Sequence, residues 1–160
     1  IALKSHNTPS VIALSRQKVP YINPDNSKVN KCEKGAYTIN ITSHESNLTL
    51  VASGTEVELA LKVQEKLKSN NIHSKVVSMP CMELFDKQSD KYKKDILEED
   101  SLIVTLEAGS ISHWQKYTKN KGLNLGIDQF GKSAPYKEVY DHFNLTEEKI
   151  TILIQKKLRE

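Results

Sequence analysis

The chain has 160 residues, 38% of them hydrophobic, and a formal net charge of +3 from 23 basic and 20 acidic side chains. Such a length folds around one real core, burying roughly 70% of the unfolded surface, and about a quarter of it is Leu, Ile, Val or Phe, above the ~20% level that marks disorder. The longest apolar run, residues 11–14, is far too short to span a membrane; basic and acidic residues are interspersed, unlike a nucleic-acid footprint; and two distant cysteines, Cys32 and Cys81, point to a reducing compartment rather than a disulfide scaffold.

Residues 10–15, which follow Pro9 and include Val11, Ile12 and Leu14, read as a strand. From Lys18 to Gly35 periodicity collapses, and Pro20, Pro24, Asn23, Asn26 and Asn30 supply turns. That stretch reads as a linker, which leaves the first strand without an evident partner. Tyr37–Ile41 alternates as an edge strand does, and Leu48–Ala52 is a buried-strand candidate. Ser53 and Gly54 break it, and Thr55 with Glu58 has the spacing of a capping box. A helix is predicted over Glu56–Ser69, with Val57, Ala60, Leu61 and Leu67 on one face and Glu58–Lys62 as a well-oriented pair. Asn70 and Asn71 can end it, since Asn tolerates the left-handed conformation.

The next strand, residues 75–79, stops at Pro80, so strand, helix and strand form a βαβ unit with parallel strands. Residues 82–97 read as short helical pieces. Leu102–Leu106 is the near-continuous apolar strand of a sheet covered on both faces. A short helix over 111–119 and a strand over 123–127 follow. Ser133 can cap a helix that has Pro135 early, and Thr146 starts the last helix, with Ile150, Leu153, Ile154 and Leu158 inward. The fold class is α/β: a small open sheet, mostly parallel, with helices on both faces.

Several residues invite a chemical reading. Gly54-Thr55, between a strand and a helix start, could hold a phosphate on backbone N–H groups, although a turn glycine with an N-cap explains it as well. Gly126-x-x-x-x-Gly131-Lys132-Ser133 fits the bare Walker A pattern, but Asp128 inside it repels a phosphate and the flanking elements are wrong. His6, His44, His73, His113 and His142 have no metal-ligand spacing; His113 beside Trp114 reads as a pocket residue or a surface position. Cys81 after Pro80 is a nucleophile candidate near a helix N-terminus or a half-buried structural thiol. Glu107 ends a central strand, where open sheets of this class bind ligands, or else makes a capping or ionic contact. Arg16, at the end of a strand, could clamp a phosphate through two parallel hydrogen bonds or form an ordinary salt bridge.

Motifs decide more. Residues 9–17 end in Leu14-Ser15-Arg16-Gln17; residues 52–60, from Ala52 to Ala60, are similar to an ATGSEVELA run; and residues 76–88 fit a VSMPxxxxFDxQ pattern through Met79, Pro80, Phe85, Asp86 and Gln88. Glu107-Ala108-Gly109, His113-Trp114 and Phe130-Gly131-Lys132-Ser133-Ala134-Pro135 follow in the same order. Together they make the chain resemble the transketolase family along essentially its whole length. Thr55, Asn71 and Lys132 are mild departures.

The resemblance implies a C-terminal piece of a longer enzyme, in keeping with a first residue, Ile1, that is not Met. Residues 1–17 would end the pyrimidine-binding domain, 18–36 would be a linker, and 37–160 the C-terminal domain, a mixed sheet of about five strands. The implied parent enzyme is a cytoplasmic homodimer of the pentose phosphate pathway. It moves a two-carbon ketol unit between sugar phosphates with thiamine diphosphate and a divalent cation, Mg or Ca. Cofactor, metal and catalytic residues would all lie upstream. Arg16 maps onto the family's arginine that contacts the sugar phosphate, which selects the clamp over the salt bridge. The isolated chain is then expected to be inactive, with a structural role in domain packing and dimer support, and with no nucleic acid or membrane partner. Dihydroxyacetone synthase is a close alternative within the family. A small-anion or nucleotide-binding regulatory module, with its ligand at Gly54-Thr55 and Glu107, is the alternative from another class.

Overall fold

Alternation along the central strands divides their side chains between two cores. A computed structural model describes residues 1–15, 17–22, 30–43, 46–98, 100–119 and 121–160. Its strands are β1 (Tyr37–Ile41), β2 (Leu48–Ala52), β3 (Lys75–Ser78), β4 (Leu102–Leu106) and β5 (Leu123–Leu125). Its helices are α1 (Glu56–Ser69), α2 (Met82–Asp86), α3 (Asp90–Leu97), α4 (Gln115–Thr118), α5 (Tyr136–His142) and α6 (Glu147–Lys157). The strands lie in the order β1-β3-β2-β4-β5; β1 is antiparallel to β3, and every other pairing is parallel. On one face Leu48, Leu50, Val76, Val104 and Leu106 meet Val57, Ala60, Val63 and Leu67 of α1 and Ile150 and Ile154 of α6. On the other, Val51, Val77 and Ile103 meet Phe85, Ile96, Trp114 and Tyr117. A side-chain period of two makes both faces of β2 apolar.

The helix predicted over Glu56–Ser69 forms with those bounds, the Glu58–Lys62 pair closes at 2.7 Å, and Asn71 sits at φ 58 just past its end. Its N-terminus differs from the expected capping box. Thr55 already has helical backbone angles and makes no capping bond; its hydroxyl donates to Glu56 Oε1 at 2.7 Å. A residue already turned into the helix cannot bring its side-chain oxygen back over the first amides to accept from them, so its hydroxyl only donates to the adjacent carboxylate. Ser133 does not cap α5 either, because the N-cap position is Pro135. In α6, Ile150, Thr151 and Ile154 are buried, whereas Leu153 and Leu158 are 36% and 42% exposed. Leu153 falls at the edge of the buried stripe, and Leu158 lies beyond the last helical residue. Thr146 does cap this helix, accepting from Lys149 N.

Residues 10–15 form no strand. Val11, Ile12 and Leu14 are exposed, and among the described residues no strand pairs with them. Backbone N–H and C=O groups need partners, so an extended segment without a neighbour makes no sheet. The end of the predicted linker, in contrast, is ordered. Asn30 accepts from Cys32 N to cap a short turn over Lys31–Lys34, and Gly35 follows at φ 80. A Cβ at Gly35 would lie 2.2 Å from Phe85 N and 2.4 Å from Cys81 O. Only glycine allows so close a backbone approach, which brings Ala36 into the core.

Candidate functional site

Chain order sets where a crevice opens. From β2 the chain passes through α1 to β3 on one side, then crosses through α2 and α3 to β4 on the other. The direction of winding therefore reverses between β2 and β4, and open α/β sheets bind ligands beyond the carboxyl ends of the strands at such a point. Here those ends carry Ser53 after β2 and Glu107 after β4, and Ser53 Oγ donates to Glu107 Oε2 at 3.3 Å. Glu56, buried in the first turn of α1, lies close by. Its Oε1 accepts from Thr55 Oγ1 and from the Tyr140 hydroxyl of α5, the latter at 2.5 Å.

The electrostatics follow from burial and two like charges. Burial, then the neighbouring Glu56 carboxylate, raise the Glu107 carboxyl above its usual range, against the opposing pull of Ser53, Trp114 and His113. The Tyr140 hydroxyl is pushed well above the usual phenol range by burial and by its bond to Glu56. An anion at Gly54-Thr55 would meet two carboxylates, so this crevice favours a hydrogen-bond donor or a cation over a phosphate. Tyr140 also lines a cavity of about 360 Å³ between α1, α5 and α6, together with Thr55, Tyr136, Gln17, Lys18 and Val19.

The remaining candidates separate. Arg16 lies outside the described residues, as does His44. Gly126 has a packing reason, since a Cβ there would lie 2.5 Å from Ile111 Cγ2 and 2.7 Å from Gly109 O. Nothing stands within 4 Å of a Cβ at Gly131, and residues 131–135 form no helix, so the Walker-like pattern cradles nothing. His113 is exposed, with Nδ1 3.3 Å from Ser112 Oγ, while Trp114 is fully buried. Cys81 is partly buried and its thiol points to Glu83 Oε2 at 3.4 Å. Sequence reasoning found Glu107 but missed Glu56 and Tyr140. Glu56 looks like any acid in a helix first turn, and Tyr140 stands 84 residues away.

A family model described as the transketolase-like TK C-terminal domain matches residues 35–146. The chain belongs to that family. The chloroplastic transketolase of Spinacia oleracea is 39% identical over 153 residues, covering 94% of this chain and 20% of the relative. A transketolase of Aquifex aeolicus is 40% identical over 154 residues, covering 94% of this chain and 22% of the relative. Among solved structures, a transketolase of Pichia stipitis in complex with sedoheptulose 7-phosphate superposes with a TM-score of 0.88 at 32% identity, covering 99% of this chain and 23% of that one. The mixed five-stranded sheet is thus the family's C-terminal domain fold, and the chain spans about a fifth of the length of these relatives.

Proposed function

We propose that this chain is the C-terminal part of a transketolase, a transferase that moves a two-carbon ketol unit from a ketose phosphate to an aldose phosphate. One observation carries the reading: identity of 39–40% over 94% of the chain with proteins named transketolase. Thiamine diphosphate would supply the carbanion chemistry, with a divalent cation beside it. The described residues of this chain do not fit either group. No three of their His, Cys, Asp or Glu side chains converge as a cation needs, and the carboxylates of Glu56 and Glu107 oppose a diphosphate. Both groups belong, in this reading, to the remainder of the longer protein, a homodimer of the pentose phosphate pathway. Arg16 is this chain's contribution to substrate binding. Its fork of donors would hold a sugar phosphate away from the bond being broken, turning binding energy into orientation.

The chain's own role is domain packing and support of the dimer. The exposed Val11, Ile12 and Leu14 give that role its apolar surface, with residues 1–17 belonging to the preceding domain, 18–36 to a linker and 37–160 to the C-terminal domain. We place the protein in the cytoplasm. No helix among the described residues is long and apolar enough to cross a membrane. The test is an assay of the 160-residue chain with thiamine diphosphate, Mg, xylulose 5-phosphate and ribose 5-phosphate. Neither cofactor binding nor turnover is expected; either one would overturn the structural role.

A further inference from the structure

We infer that α1, α5 and Ile22 act as positioning elements for Arg16: the domain holds the segment that follows this arginine, and so sets where its guanidinium meets a substrate phosphate. The inference rests on the reading of Arg16 as a phosphate clamp and adds how the clamp is aimed. The stretch that reads as a linker is attached to the domain near its start. Ile22 is half-buried and packs against the core shared by the sheet, α1 and α6, as does Leu59 of α1. Gln17, Lys18 and Val19 line the cavity of about 360 Å³ whose other side is formed by Leu59, Tyr136 and Tyr140. Between these two places Pro20 fixes one backbone φ near about −65°. The chain from Gln17 to Ile22 can extend no more than about 18 Å. It is therefore a short, stiffened strap, anchored at Ile22 and facing α1 and α5 at Gln17.

The wall that the strap faces is itself fixed. Tyr140 donates to the buried Glu56, and its ring meets that of Tyr136 edge-on, with centroids 6.1 Å apart. Thr55, on the same wall, also donates to Glu56. The Glu58–Lys62 pair, at 2.7 Å, closes the α1 side. The residues before Arg16 supply no comparable support, since residues 10–15 join none of the strands among the described residues. An arginine side chain has about 2 kcal/mol of rotamer entropy to lose, and its planar fork is aimed only when its stem starts from a defined place. Displacing a positioning group by about 1 Å already costs much of its effect. Anchorage through the residues that follow is what this domain contributes to the clamp.

Steady-state kinetics of the full-length enzyme with xylulose 5-phosphate and ribose 5-phosphate test it. Ile22→Ala loosens the anchor and Tyr136→Ala the wall; Tyr136 is 54% exposed, so its replacement leaves the core intact. Each variant should raise KM for the phosphorylated substrates about threefold or more, with kcat and thiamine diphosphate affinity unchanged. Tyr136→Phe, which keeps the ring, should behave as the unaltered enzyme does. In an Arg16→Ala background neither variant should raise KM further, because residues acting on one interaction are not additive. If Arg16→Ala raises KM while Ile22→Ala and Tyr136→Ala do not, the positioning role is overturned and the clamp stands. An equal rise with and without Arg16 also overturns it, since the wall then acts by another route. An unaltered KM in Arg16→Ala itself rejects the clamp, and this inference with it.

Discussion

The Tyr140 hydroxyl donates a 2.5 Å hydrogen bond to Glu56 Oε1 across 84 residues of sequence. It ties α5 to the first turn of α1, beside the crevice where the winding of the sheet reverses. Glu56 is 5% exposed, and its Oε1 has Tyr140 and Thr55 as donors. Tyr140→Phe removes one of them and keeps the ring in its contact with Tyr136. The expected loss is about 1–3 kcal/mol, the cost of under-satisfying a buried carboxylate. Urea unfolding of the two proteins measures it; equal midpoints would reject the bond.

Glu107 makes stability depend on pH. Its carboxyl titrates above the ordinary 4.5 in the folded chain, first through burial and then through Glu56. The folded state therefore keeps a proton that the unfolded chain has already released. Stability from this group is complete below the unfolded value and is lost as pH rises through the folded value. Glu107→Gln cannot titrate, so it should flatten this part of the profile. Urea midpoints taken between about pH 4 and pH 7 check it: the difference between the two proteins should change with pH in that direction, and parallel profiles contradict the assignment.

Lys75 is a buried cation at the start of β3, 1% exposed. Its Nζ donates to Glu98 Oε1 at 2.6 Å and to Asp95 O at 3.0 Å. Glu98→Gln leaves the ammonium with neutral acceptors only and should destabilise the fold by about 1–3 kcal/mol. Lys75→Met, which removes the buried charge altogether, should cost less than Glu98→Gln, because an unpaired buried ion is the expensive state. Thermal melts of the two variants rank them; the reverse order would show that the pair itself stabilises the fold.

Arg16→Ala, made in the full-length protein, separates substrate positioning from cofactor binding. Loss of charge-assisted bonds to a phosphate costs about 1.5–3 kcal/mol, or roughly tenfold to a hundredfold in KM for phosphorylated substrates. Affinity for thiamine diphosphate should stay the same. Steady-state kinetics with a cofactor titration read both, and an unaltered KM rejects the clamp.

Most of the elements were legible in the residues. Leu48–Ala52 and Leu102–Leu106 announce strands buried on both faces, because apolar runs bounded by polar turns have few other uses. Glu56–Ser69 announces its helix through the spacing of Val57, Ala60 and Leu67 and through Asn70 and Asn71 at its end. Misreadings gathered where a local pattern competes with a tertiary partner. Thr55 and Glu58 have the capping-box spacing, yet Glu56 takes the threonine hydroxyl. Residues 10–15 have strand composition, yet they join none of the strands among the described residues. The candidate site was half visible: Glu107 was marked by its place at a strand end, while nothing near Tyr140 in sequence points to Glu56.

The sequence by itself determined the family, through ordered motifs from Leu14 to Pro135, and the succession of strands and helices, because side-chain periods of 2 and 3.6 are written locally. Tertiary structure alone decided that β1 closes the sheet antiparallel to β3, and that Glu56, Glu107 and Tyr140 share one crevice. Each of these depends on segments distant in sequence coming within a few ångströms, and a charge or a hydroxyl has no fixed partner until packing supplies one.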